Sequence, residues 1–507
     1  MKALVVVFAA AACHASTSTS TSTSPSPSPT PPPVPMSDPS EYAIDRVSRD
    51  AGEAIFARTG VGDPYRTGVP YPIFVALLRG YPQQFGATTG ELAARFGFVA
   101  RTAEPASDDL DVREGLPVGM HLTIDPLTGV PFVVTNCALC HAAKVDDKLV
   151  VGLANRRVRV HAYDAAFADV AAKLSHERLR RLADAAEDER HVAWPEPYRD
   201  AIVAATIEAL RVRARDRAWL VERTRDGPPG RVATIETFAP VLAQLTGRSI
   251  DHATDIGWAK VPDVIGFAHR TSLTWDGSGE GAMDLLVVEA DVAAGVRVAW
   301  LERHPFQGPS LAAYLRQPAP RPRFPGAVDR EHARRGKQLF DDHCARCHGS
   351  YADDGRVLSY DEPIVALDDV GTDPARSLAA TASFERAAND PDLTRGYTRF
   401  RRTAGYIPPV LTNVWARAPY GHAGQWPSLD MLATPPDARP RRFVVRYDAP
   451  YDLRAVGLAI RTGDAPLEHG DYAVDATKPG FSVAGHPFLA ELSLDEREAV
   501  VEYLKTL

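Results

Sequence analysis

Cysteine and methionine are scarce: the 507-residue chain holds five of each. Four of the cysteines stand in two pentapeptides and the fifth, Cys13, lies near the N-terminus, which excludes a disulfide scaffold. No internal apolar run approaches the length that spans a bilayer. Charge of one sign is not concentrated either. The 57 Lys+Arg against 65 Asp+Glu leave a net −8, a mild acidity that argues against a nucleic-acid partner. Proline (42) and glycine (36) are plentiful and supply long loops. The 45% hydrophobic and 24% charged residues are those of a globular protein, and the length exceeds what one hydrophobic core usually serves, so at least two folded domains are expected.

Met1-Lys2 followed by the apolar run Ala3 to Ala12 has the form of an export signal over residues 1–15. Cys13 directly follows four alanines, so two outcomes stand open: lipid modification at Cys13, or ordinary cleavage near Ala12 or Ala15. Residues 16–40 are Ser/Thr repeats and then Ser-Pro and Pro-Pro steps, which bury no apolar surface and read as an extended tether. The expected localisation is export to the periplasm of a Gram-negative bacterium, free or held at a membrane by a lipid on Cys13.

The two pentapeptides are Cys137-Ala-Leu-Cys140-His141 and Cys344-Ala-Arg-Cys347-His348. With so few cysteines a single chance CxxCH has a likelihood of about one or two in a thousand, so two copies carry weight. Thiols at i and i+3 share one helical turn, where Cys137 and Cys140, or Cys344 and Cys347, can form thioethers with the two vinyl groups of one haem. The following His141 or His348 then reaches the iron. Zinc is the rival ligand of Cys and His, but it wants further Cys or His pairs and the body has no other cysteine. Two covalently bound haem c groups are therefore expected. The sixth iron position decides function, since a haem held on both sides transfers electrons and one with an open side binds peroxide or dioxygen. The body offers Met36, Met120, Met283 and Met431 and more numerous histidines; for the second haem the ranking is His486, then His422 and Met431.

The Pro-rich stretch Gln317 to Pro325 reads as a joint between a first domain, 41–318, and a second, 319–507. Pro262 through Arg270 to Gly277 can be laid on Pro409 through Arg417 to Gly424 at a constant offset of 147, which suggests related halves. The haem motifs are offset by 207, so the first half carries about sixty additional residues between motif and repeat. Residues 176–224, with Ile202, Val203, Ile207, Leu210, Ala214, Ala218 and Val221 at helical spacing, read as a helical insertion. In the second half Glu331 to Asp342 reads as a helix, and the Ser493–Glu496 capping box opens a terminal helix. These resemble the crossing terminal helices of class I cytochrome c, with Gly336, Phe340 and Tyr503 at the crossing. The expected fold class is mainly α: two class I cytochrome c-like haem domains with long loops and a helical insertion in the first half.

Three stretches, Gly115 to His141, Trp275-Asp-Gly277 and Ala418 to Leu429, resemble the bacterial di-haem cytochrome c peroxidase superfamily. The first of them, the insertion and the ending Lys478 to His486 are most similar to its rubber-oxygenase-like branch. The resemblance implies that His141 and His348 are proximal ligands and that Trp275 is an inter-haem electron relay. It also implies that His486 is the distal ligand of the second haem and that the first haem is the open, reactive one. Ser278-Gly279-Glu280 departs from the peroxidase pattern after WDG, the catalytic glutamate has no counterpart because Glu289 is too close, and a methionine ligand beyond His422 is missing. The function expected is a haem-dependent oxidoreductase of peroxidase or oxygenase type, taking peroxide or dioxygen and electrons from a small donor protein. The alternative is a pure electron carrier with both irons closed, for which His252 or His269 would have to close the first.

Overall fold

The computed structural model describes residues 46–507 apart from 63, 105, 126–127, 146, 191–193, 283–295, 297, 318–321, 395–397 and 464–465. The export signal, Cys13, the tether, Met36, Met283, Glu289 and part of the Pro-rich joint lie outside the described residues. Among the described residues no helix is long and apolar enough to cross a membrane.

Four helices frame the two halves: α1 (Arg49–Ala57) and α2 (Gln307–Leu315) in the first, α3 (Arg330–His343) and α4 (Leu494–Leu504) in the second. Each starts where its sequence provides a cap or a turn. The Ser48 hydroxyl accepts from the Ala51 N–H, the Asp329 carboxylate accepts from Glu331 and His332, and Ser493 and Glu496 form the reciprocal capping box. The α3 and α4 helices cross at Gly336, where an added Cβ would stand 1.8 Å from the Ala499 carbonyl oxygen; only a glycine permits that approach. Phe340 and Tyr503 pack beside the crossing with ring centroids 5.2 Å apart.

The first half repeats this device. At Gly52 of α1 an added Cβ would stand 2.0 Å from the Ser310 carbonyl oxygen of α2, and Phe56 and Tyr314 pack 5.2 Å apart. The spacings agree: Gly52 to Phe56 and Gly336 to Phe340 are four positions, as are Ser310 to Tyr314 and Ala499 to Tyr503. Beyond this frame the halves diverge. Phe340 precedes Cys344 by 4 residues and Phe56 precedes Cys137 by 81, so a further 77 residues enter the first half ahead of its CxxCH motif.

That stretch and the expected insertion build a separate core together. The helix Tyr71–Gly80 is buried along nearly its whole length and packs against the helix His176–Arg190, while the helix Val160–Ala171 packs against Glu196–Asp216. Val203, Ile207 and Leu210 are buried as their spacing predicts, whereas Ala218 is exposed because the helix ends at Asp216 and a second, Ala218–Thr224, begins. Trp194 closes this core, with its indole N–H donating to Asp184 at 2.9 Å.

The fold is mixed rather than mainly α, with 43% helix and 14% strand. The strands come from short β-branched and aromatic runs that helical periodicity overlooks. Met120–Ile124 and Val69–Pro70 flank Pro131–Thr135 in one antiparallel sheet, and Ile460–Arg461 and Asp471–Asp475 flank Arg442–Arg446 in another. Each CxxCH motif is followed by a hairpin, Ala142–Val145 with Lys148–Val151 and Ser350–Tyr351 with Val357–Ser359. One two-stranded sheet joins the halves: Gly279–Gly281 pairs with Thr398–Phe400.

Candidate haem sites

Both pentapeptides fold as one helical turn. In the first, the Asn136 side chain caps Ala138 and ties back to the Thr59 carbonyl, and the Cys140 and His141 N–H groups both donate to the Cys137 carbonyl. In the second, which continues from α3, the Cys347 and His348 N–H groups donate to the Cys344 carbonyl, each at 3.0 Å. The i, i+3 thiols of each motif are thus brought onto one turn, as two thioether bonds to one porphyrin need. None of the four is held in a disulfide, and burial pushes Cys140 and Cys344 up to about 12, so these two thiols are neutral.

The histidines are anchored alike. His141 Nδ1 lies 2.8 Å from the Pro262 carbonyl oxygen and His348 Nδ1 lies 2.8 Å from that of Pro409. Burial lowers both pKa values, so both rings are neutral; Nδ1 carries the proton that is donated and Nε2 keeps its lone pair for a metal. Pro262 and Pro409 are 147 positions apart, the offset of the sequence repeat. The same offset relates the 3-10 turns Phe267–His269 and Val414–Ala416, and the residues before them, Gly266 (φ 89°) and Asn413 (φ 55°), are both left-handed. The repeat is therefore the loop that anchors the histidine of each CxxCH motif, the proximal loop if that histidine holds a haem.

His486 faces His348 with ring centroids 6.3 Å apart and planes at 52°. An imidazole nitrogen binds a first-row metal at about 2.0 Å and the ring centroid lies roughly 1.1–1.2 Å behind it, so two imidazoles on opposite sides of one metal place their centroids about 6.3 Å apart. The residues present fit an iron between these rings. His486 has a left-handed backbone (φ 50°), which a non-glycine residue keeps only when its surroundings over-determine it. Arg439 does so: its guanidinium donates to the carbonyls of Thr434, Leu432, Val483 and Gly485 at 2.6–2.8 Å, and its charge lies over the Trp426 ring. The His486 ring packs against Trp426 and Phe488.

The other candidates are placed elsewhere. His422 lies flat on Tyr406, 3.8 Å between centroids, with Nε2 buried and unpaired; burial beside Arg376 and Arg231 lowers its pKa to about 3. Met431 is buried in the core of the second half and Met120 in that of the first. Near His141 the ring neighbour is Phe56 of α1, at 6.1 Å. His252 is exposed and stacks on Trp219, and His269 is exposed.

Trp275 sits between the two proximal loops. Its indole N–H donates to the Lys260 carbonyl at 2.9 Å, two residues before Pro262, and its own carbonyl accepts from the Ile407 N–H at 2.8 Å, two residues before Pro409. Asp276 pairs with Arg376 at 2.9 Å in the interior, and Glu280 pairs with Arg401. The residues that depart from the peroxidase pattern here join the halves. Sequence reasoning missed Asp263, Arg417 and Arg439; the offset of 147 pointed at the loops that hold the first two, but no spacing rule singles out Arg439.

Residues 405–444 match the family described as RoxA-like, cytochrome c-like. The matched segment holds the Pro409 loop, His422 and Arg439, and it implies a haem c group and relates the chain to haem-dependent oxidoreductases. Two uncharacterized proteins of Sinorhizobium fredii (strain NBRC 101917 / NGR234) are similar to this chain. The one called y4iM is 32% identical over 27% of this chain and 35% of its own length, and y4iJ is 26% identical over 37% and 41%. The chain spans between a third and about two fifths of these curated relatives.

Proposed function

We propose that the chain is an exported di-haem c-type cytochrome acting as an oxidoreductase, with a closed haem between His348 and His486 and an open, reactive haem on His141. The observation that carries this reading is the repeated proximal loop set against an unrepeated distal one. Both CxxCH turns have the same prolyl anchor, yet among the described residues only His348 has a second imidazole ring facing it. Cys137 with Cys140, and Cys344 with Cys347, are the thioether pairs. A bound haem supplies a one-electron iron couple, and at an open iron it activates peroxide or dioxygen. The protein's part is to keep His141 and His348 neutral and oriented, to hold His486 against rotation through its buried surroundings, and to join the two loops through Trp275 as an electron relay. Residues 1–15 are read as the export signal, with the lipid anchor at Cys13 or cleavage beside it.

Carbon monoxide tests the reading, because an open ferrous iron binds it whereas a six-coordinate one must first lose its own ligand. Reduced protein is expected to bind one carbon monoxide per two haems, leaving the bands of the His348 haem unperturbed. Binding at neither haem, also after half-reduction, transfers the chain to the electron carriers.

A further inference from the structure

Arg417 lies in the interior between the two proximal loops, its side chain 4% exposed and that of its partner Asp263 7%. One arm of the guanidinium, Nη2, is ion-paired with the Asp263 carboxylate at 3.1 Å and donates to the Ile265 carbonyl at 3.0 Å, on the loop that anchors His141. The other arm, Nη1, donates to the Val410 carbonyl, on the loop that anchors His348. Lys260 Nζ donates to the carbonyl of Arg417 itself. A buried ion pair is weak evidence for stability, because desolvation offsets most of the attraction. Its placement here calls for another account.

We infer that the Asp263–Arg417 pair is a bonded bridge between the two proximal histidines, and that it carries electrons between the sites in parallel with Trp275. The inference rests on the di-haem reading above. The bridge runs from His141 through the Pro262 carbonyl, over one peptide to Asp263, across the ion pair to Arg417, onto Val410 and back one residue to Pro409, whose carbonyl holds His348. The path through Trp275 crosses four hydrogen bonds and seven residues between the histidines, where the Arg417 path crosses three hydrogen bonds, one ion pair and five residues. Because tunnelling weakens with every added bond, the shorter path competes with the aromatic one. One electron passes from one iron to the other: one is oxidised and one reduced, no bond forms or breaks, and no proton moves.

The test is pulse radiolysis of the fully loaded protein, in which hydrated electrons reduce one haem and the redistribution to the other is followed optically. Three variants are compared: Trp275→Phe, Arg417→Gln with Asp263→Asn so that neither member of the ion pair is left charged without the other, and all three substitutions together. Parallel routes of similar weight predict about twofold slowing for each of the first two and at least tenfold for the combination, a non-additivity that independent structural effects do not produce. If the combined protein relaxes as fast as Trp275→Phe alone, the bridge carries nothing and the inference is overturned. Should the paired variant not fold, Arg417→Lys keeps the charge but cannot span both loops and is expected to slow the relaxation; an unchanged rate overturns the inference equally. A haemochrome assay on the same samples separates this from failure of the di-haem reading, which would leave fewer than two haems per chain.

Discussion

Replacing His486 by alanine perturbs one iron and leaves the other as a reference. The centroid separation of 6.3 Å matches the roughly 6.3 Å of two imidazoles on one metal, so the His486 ring stands at ligation distance. His422 is stacked on Tyr406, and the left-handed turn at His486 is fixed by the four carbonyls Arg439 holds. The substitution is therefore expected to turn half of the haem from low-spin to high-spin, read from the loss of one low-spin EPR signal and the appearance of a high-spin one. Truncating a half-buried ring packed against Trp426 and Phe488 also removes contact worth about 1–3 kcal/mol of stability. Added imidazole, filling the space the side chain leaves, is expected to restore the low-spin signal. Unaltered spectra would refute the reasoning and pass the ligand role to His422 or Met431.

Three further outcomes are expected. Denatured protein should keep haem colour on a gel and give a pyridine haemochrome of two per chain; a count of one removes a site. Gly52→Ala and Gly336→Ala each force a methyl into a carbonyl less than or about 2 Å away, so each should destabilise by about 1–3 kcal/mol or more in chemical denaturation, and a neutral Gly52→Ala would refute the duplicated helix crossing. His161 is buried and accepts the Ala233 N–H at Nε2, and burial lowers its pKa from 6.5 to about 4. Its unfolded form therefore binds a proton that the folded form refuses. Stability should fall as pH drops from 6.5 towards 4, by about 3 kcal/mol in all, and His161→Gln should flatten that slope in urea titrations at several pH values.

The chemistry of the sites was legible in the sequence because it is local. Two thiols and a histidine within one turn need no tertiary knowledge to be paired, and the capping box at Ser493 follows from spacing alone, while the Gly336, Phe340 and Tyr503 crossing was legible through the resemblance to the terminal helices of class I cytochrome c. The constant offset of 147 also marked the proximal loops, although what they do, offering the Pro262 and Pro409 carbonyls to His141 and His348, lies in a contact across 121 and 61 residues that no periodicity records. The sequence understated the strands, since runs such as Phe443-Val-Val445 are too short to outweigh the surrounding helices until a partner strand pairs with them. It also left the first helix pair unnoticed, because 77 residues separate Phe56 from the cysteine it would otherwise precede by one turn. The sequence ranked His486 ahead of His422 and Met431 for the place opposite His348, but that Trp275 touches both loops and that Arg417 ties them together were decided by tertiary structure alone. Each depends on distant chain segments meeting within hydrogen-bond or ring-contact distance, and the free energy that brings them there belongs to the packed halves, not to any single stretch of residues.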